Sequence, residues 1–113
     1  EDEKEKEEPV PFVSVQEKPS FPGGDMALLR FISRHVDYPQ KARELGVEGT
    51  VYVQFVIGRN GRVNDVTVLR GIGYGCNKEA VRVIRRLPDW NPGKQRGKPV
   101  PVTFRMPVRF ELQ

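Results

Sequence analysis

Few side chains in this sequence are of the types that do chemistry, and their settings do not suit it. His35 is the only histidine. It falls beside the apolar stripe of a helical pattern, with no second histidine or cysteine at a ligand spacing, so no metal is expected. Cys76 is the only cysteine, which excludes an internal disulfide and a thiol-rich metal site. It could serve as a thiol nucleophile, but at a helix start facing the core it reads as a small buried hydrophobe. Ser14, Ser20 and Ser33 lack the Gly-x-Ser-x-Gly setting of a strained nucleophile turn. Gly71-Ile72-Gly73-Tyr74-Gly75 is glycine-rich, yet it has no Lys-Ser or Lys-Thr ending to cradle phosphate and reads as a strand-to-helix linker. The acids of the body are spread thinly, with no pair poised for proton transfer. Neither an enzyme nor a cofactor is expected, and what remains is binding.

Charge is distributed unevenly. The net charge is +4, but residues 1–8 hold six acids and two bases, while the other 105 residues hold 17 bases and 9 acids. A basic body suits an acidic protein, an anionic surface or nucleic acid. Residues 1–20, with their charge run and Pro9, Pro11 and Pro19, read as a largely flexible linker. Val10, Phe12, Val13 and Val15 leave open a short extra strand there. Residues 21–113 have room for one domain with a core of its own. No apolar run approaches the roughly 20 residues of a membrane span. The chain begins at Glu1 and shows no signal peptide, and it reads as a piece of a longer or processed protein.

The elements that could position a binding surface follow from periodicity. Asp25 is expected to cap a helix whose Leu28, Leu29, Ile32 and Val36 face the core. Pro39 suits the first position of a second, short helix over residues 40–45, stopped by Gly46. From Gly49 the period becomes two, with Val51, Val53, Phe55 and Ile57 on one face. Gly58-Arg59-Asn60-Gly61 turns the chain into a second strand over residues 62–70. Asn77 is expected to cap a helix with an apolar stripe of Ala80, Val83, Ile84 and Leu87, from which Arg82, Arg85 and Arg86 point away. Trp90 reads as cover for the core.

The last strand is the most informative. From Val100 to Phe110 every even residue is apolar, and Pro99, Pro101 and Pro107 are all odd. In an antiparallel ladder residues of one parity send both N–H and C=O to the same neighbour. Prolines cannot donate, so the odd residues should face a free edge. The fold class predicted is α+β: a two-layer sandwich of a three-stranded antiparallel sheet with helices on one face.

These residues resemble a known family. Tyr38-Pro39, Ala42, Gly46, Gly49-Thr50-Val51, Phe55, Gly61-Arg62-Val63 and Val66 are similar, in order, to the pattern of TonB C-terminal domains. Cys76 to Ala80, Trp90-Asn91-Pro92-Gly93, Gly97-Lys98-Pro99-Val100 and Pro107-Val108-Arg109-Phe110 continue it. Phe21-Pro22-Gly23-Gly24 and Cys76 are most similar to the Bacteroides-type branch. The resemblance implies a periplasmic, non-catalytic domain of a protein anchored in the inner membrane of a Gram-negative bacterium. Such a domain grips the Ton box, an extended segment of an outer-membrane transporter, as a strand added beside the last strand. A motor of the ExbB–ExbD type, reached through the N-terminal region, supplies energy from the proton gradient. On this resemblance the partner-binding residues are Tyr38, Pro39, Gln40 and Lys41 together with Val100, Val102, Thr103, Arg105 and Arg109. The prolines qualify it, because each removes a donor from the docking edge and also protects that edge from aggregation.

Three other readings fit parts of the sequence. The same fold ends membrane sensor peptidases of the BlaR type, where it would bind a signal. A basic body could hold nucleic acid, but few aromatics lie between the basic residues for stacking, so that partner is not expected. Edge strands of two copies could pair in a homodimer or adaptor.

Overall fold

The computed structural model describes residues 8–113; the acidic run up to residue 7 and the start of the expected linker lie outside the described residues. The period-two segment becomes strand β2 (Gly49–Ile57), and the glycine turn returns the chain as β3 (Val63–Arg70). The turn closes through Gly61 N–H donating to the Gly58 carbonyl and Gly58 N–H donating to that of Arg62, both at 2.9 Å. Pro101 splits the C-terminal alternation. Before it, β4 (Gly93–Gln95) and β5 (Lys98–Val100) form a small hairpin; after it runs β6 (Val102–Phe110). β2 and β6 pair antiparallel without a slip from Gly49 opposite Phe110 to Ile57 opposite Val102. That register puts Val51, Val53 and Phe55 beside Val108, Met106 and Phe104 on one face. A slip of one residue would turn either set to solvent.

The sheet is not the three-stranded antiparallel one expected. It has four strands in the order β1–β6–β2–β3, where β1 (Val10–Pro11) adds in parallel, Val10 opposite Val102 and Pro11 opposite Thr103. Apolar contact accounts for the addition. Val15 is buried with Val100 and Val102, Val10 and Phe12 pack on that cluster, and the Phe12 ring lies 4.9 Å from that of Phe104. Lys18 Nζ sits over the Phe12 ring and donates to the Phe12 carbonyl at 2.9 Å. Residues 17 and 20 then form bridges with Lys94 and Asn91.

Helices α1 (Asp25–His35), α2 (Gln40–Glu44) and α3 (Cys76–Arg85) cover the apolar face of the sheet. Leu28, Ile32, Ala42, Ala80, Val83 and Ile84 join the buried residues of β2 and β6 in one cluster. Each such side chain contributes about 1.5–3 kcal/mol if taken fully from water, somewhat less for alanine. Trp90 is buried among Phe21, Phe55 and Phe104, with ring centroids 5.4, 6.0 and 5.5 Å away. Gly46 ends α2 at φ +68, and Val47 N–H reaches back to the Ala42 carbonyl at 2.8 Å.

Both expected caps are displaced. Gly24 (φ +90) occupies the cap of α1, so Asp25 is already helical and makes no cap bond. Gly75 holds the corresponding place before α3. Asn77 Oδ1 instead accepts from Ile72 N–H at 2.9 Å and Gly73 N–H at 3.1 Å, fastening the glycine-rich linker. Leu29 also departs from expectation. It is 55% exposed, because Leu28 already fills the core at that turn of the helix.

Candidate docking edge

The proline parity fixes which way β6 presents its main chain. Val10 N–H donates to the Pro101 carbonyl at 2.9 Å and Phe12 N–H to that of Thr103 at 3.0 Å. Odd carbonyls thus face away from β2. The expectation of a free border needs one correction: β6 stands second in the sheet, and its first two residues are covered by β1. Past Thr103 no strand of the described residues pairs on that side. By the same alternation, Arg105 and Arg109 turn N–H and C=O outward there, and Pro107 its C=O alone.

A groove of about 490 Å³ runs along this open stretch, with apolar walls of Leu29 and Ile32 of α1, Val36 just past its end, and Met106 and Phe110 of β6, and polar ones of Ser33, Arg43, Arg109, Glu111 and Gln113. Since β2 fills the other flank of β6, the groove belongs to the unpaired side. Tyr38 closes one end. Its hydroxyl donates to the Val47 carbonyl, its ring meets Phe110 edge-on at 5.6 Å, and Arg43 lies 5.0 Å over its face. The opposite border of the sheet is less suited to pairing. The β2–β3 ladder shifts register twice and Asp65 takes φ +51, irregularities that twist an edge away from pairing.

The connector carrying Tyr38 is held by one buried acid. Glu79 Oε2 accepts from Asp37 N–H at 2.5 Å, and the two Glu79 oxygens accept from Arg82 Nε and Nη2, each at 2.7 Å. Arg82 Nη2 also donates to the His35 carbonyl at 2.7 Å. Arg82, expected on the solvent face, therefore bolts the end of α1 to α3. Burial pushes the Glu79 carboxyl up, but the Arg82 hydrogen bonds, the Asp37 amide and the Arg82 charge outweigh it and leave the group below its ordinary value. Burial alone raises the Cys76 thiol, the opposite of what a nucleophile needs. His35 stacks on Phe31 at 4.0 Å, with Nδ1 2.8 Å from the Phe31 carbonyl.

Of the residues singled out from sequence, Tyr38 and Arg109 line the groove. Arg105 lies on the open stretch, its Nε donating to Gln54 Oε1 at 2.8 Å. The Thr103 carbonyl is taken by Phe12, and the side chains of Val100 and Val102 are buried with Val15. Pro39 packs near Gly75, where an added Cβ would come within 3.1 Å. Gln40 and Lys41 are exposed on α2, Gln40 bonding Glu44 at 3.1 Å. Sequence reasoning missed Leu29, Arg43 and Met106 as groove walls. The signal was the Leu28–Leu29 pair, one more apolar residue than a single helix stripe needs.

Fold and edge together define a class: a small two-layer α+β domain with a partly open sheet border beside a groove of mixed apolar and polar lining. The family model for the Gram-negative bacterial TonB protein C-terminal matches residues 34–112. The chain belongs to that family. Two NMR solution structures of the Helicobacter pylori TonB C-terminal domain, of different lengths, share its fold. The longer is 28% identical, with 78% of this chain and 79% of that one covered at a TM-score of 0.59. The shorter is 26% identical, with 76% and 90% covered at the same TM-score. No curated protein sequence matches. Domains of this family are periplasmic interaction domains of TonB-type energy transducers. Among the described residues no helix is long and apolar enough to cross a membrane.

Proposed function

We propose that this domain is the periplasmic end of an inner-membrane energy transducer and engages the Ton box of outer-membrane transporters by strand addition along residues 105–109. Force generated by an ExbB–ExbD-type motor would reach the transporter through that contact. The observation that carries this reading is the unpaired stretch of β6 with its outward main chain, flanked by a groove with an apolar wall from α1. Strand addition draws affinity from main-chain hydrogen bonds and tolerates variable partner sequences. The open stretch offers two N–H groups and three carbonyls. At about 0.5–1.5 kcal/mol net for each bond, less the ordering of the visiting segment, the contact is weak and reversible. Tyr38 and Pro39 flank it, with Gln40 and Lys41 on the adjoining surface of α2.

A synthetic Ton-box peptide from a transporter of the same organism should shift the amides of Arg105, Met106, Val108 and Phe110, and those of Leu29 and Tyr38 across the groove. Shifts confined to β3 or to the 93–100 hairpin would place the partner elsewhere. Pro107→Ala sharpens the test, because it restores the missing donor. One added hydrogen bond should tighten the peptide about 2- to 10-fold. An unchanged affinity would mean that the peptide does not meet the main chain of β6.

A further inference from the structure

Away from β6, the helix layer turns a basic face to solvent. On α1, Arg30 and Arg34 stand one turn apart; on α3, Lys78, Arg82 and Arg85 follow at intervals of four and three, so each set shares one side of its helix. The two sets meet. Arg82 Nη2 donates to the His35 carbonyl at the end of α1. A hollow of about 300 Å³ is lined by Arg30, Arg34 and His35 together with Pro88, two residues beyond Arg86. Another, of about 610 Å³, is lined by Lys78, Arg82, Arg85 and Arg86. Little acid offsets this charge. Glu79 is buried against Arg82, and Asp37 lies 3.5 Å from the same guanidinium. Arg30, Arg34, Lys78, Arg85 and Arg86 are exposed, and among the described residues none has an acid within ion-pair distance.

The complementary charge narrows the partner. A protein interface needs an apolar or aromatic centre depleted of charge. Of the large apolar side chains that are exposed, α3 carries none and α1 only Met26 and Leu29, and Leu29 belongs to the β6 groove. Nucleic acid is not met in the periplasm, where domains of this family act. A bilayer surface offers phosphates spread over a plane, which matches cations spread over two neighbouring helices. Four of the five unpaired cations are arginines, whose forked donors fit phosphate oxygens in pairs. We propose that the outer face of α1 and α3 rests on an anionic phospholipid surface, with Arg30, Arg34, Arg85, Arg86 and Lys78 meeting the headgroup phosphates. Met26, 65% exposed one turn before Arg30, is placed to enter the headgroup layer. The contact goes beyond strand addition and does not depend on it, because β6 lies in the sheet layer beneath these helices.

Flotation of the whole chain with phosphatidylcholine vesicles containing about 30% phosphatidylglycerol, in about 0.05 M salt, tests this. The chain should float with these vesicles and not with phosphatidylcholine alone, and about 0.5 M salt should release it. Each basic residue at such a surface strengthens attachment about 5-fold. The variant combining Arg30→Gln, Arg34→Gln, Arg85→Gln and Arg86→Gln should therefore partition about 100-fold less, or weaker still. A control removes the same charge from the strands and turns, through Arg62→Gln, Arg70→Gln, Arg96→Gln and Lys98→Gln, and should lose no more than about 5-fold. All eight residues are exposed, so both variants keep their fold, which amide spectra check. No flotation with the anionic vesicles, or an equal loss in the two variants, overturns the proposal. Release by polyglutamate at the same charge concentration as the lipid would assign the face to an acidic protein and overturn it too. Strand addition is untouched by any of these results, since neither variant alters residues 105–109.

Discussion

Replacing Gly61 by alanine should cost about 3–5 kcal/mol of stability, a large part of the roughly 5–15 kcal/mol that holds a domain of this size. Gly61 lies at φ +82 in the β2–β3 turn, and a Cβ there would stand 1.9 Å from the Trp90 carbonyl oxygen and 2.9 Å from its carbon. The obstacle is backbone, so no rotamer relieves it. The left-handed conformation alone costs an alanine about 1–2 kcal/mol. Separating the turn from residue 90 would also break the 2.8 Å bond from Trp90 N–H to the Gly61 carbonyl and loosen an indole packed on three phenyl rings. Partial loss of that burial is worth another few kcal/mol. Gly97 supplies the control. It sits at φ +76 with nothing within 4 Å of an added Cβ, so Gly97→Ala should lose only about 1–2 kcal/mol. Urea unfolding followed through the single tryptophan measures both. A Gly61→Ala loss within about 1 kcal/mol of the control would show that the turn separates from Trp90 without penalty. The site should feel the change as well, since Trp90 rests on Phe104, the last β6 residue before the open stretch.

What the sequence disclosed and what it withheld divide along a physical line. The alternations of residues 51–57 and 100–110 were legible because a half-buried strand has to write its pleat into its composition. The outward parity of β6 was legible through Pro101 at its start and Pro107 within it, which constrain the main chain whatever surrounds them, whereas Pro99 belongs to the β4–β5 hairpin. By contrast β1, left open as a short extra strand among Val10, Phe12, Val13 and Val15, is two residues long and includes Pro11, so no period fixes it; Phe12 on Phe104 and Val15 on Val102 make it, and both contacts cross more than eighty residues of chain. Leu29 was misplaced for a related reason. Helical periodicity counts apolar residues on a face but does not say which of two neighbours has a partner. The groove draws its walls from α1, Tyr38, α2 and β6, four segments that share no local pattern. Glu79 was not singled out and Arg82 was placed on the solvent face, because the amide that decides their role belongs to Asp37, 42 residues away.

That pair should give the domain an acid-sensitive joint beside the proposed docking edge. The Glu79 carboxyl lies below its ordinary value in the folded state because bonds from Arg82 and Asp37 favour the charged form more than burial opposes it. A depressed carboxyl stabilises the fold above its unfolded value, about 4.5, and that contribution is lost as pH falls from there through the folded value. Glu79→Gln removes the charge and leaves Arg82 facing an amide. Breaking a fully buried pair costs about 3–5 kcal/mol. The Arg82 side chain keeps 37% of its exposure, so about 1–3 kcal/mol at neutral pH is the better expectation. The gap between native protein and variant in urea midpoints should therefore be widest near pH 7 and close steadily as pH falls below about 4.5. A gap of constant width over that range would mean that Glu79 acts through shape rather than charge. The joint holds the connector from His35 to Pro39, so its loss should also appear at the site. Amides of Asp37, Tyr38 and Gln40 in Glu79→Gln at neutral pH should move toward the positions they take in the native protein at low pH. Tyr38 is the hinge of that comparison, because the same ring that follows Asp37 in sequence closes the groove and seats Arg43. A variant that weakens peptide binding without touching any groove residue would then owe its effect to the orientation of this one ring.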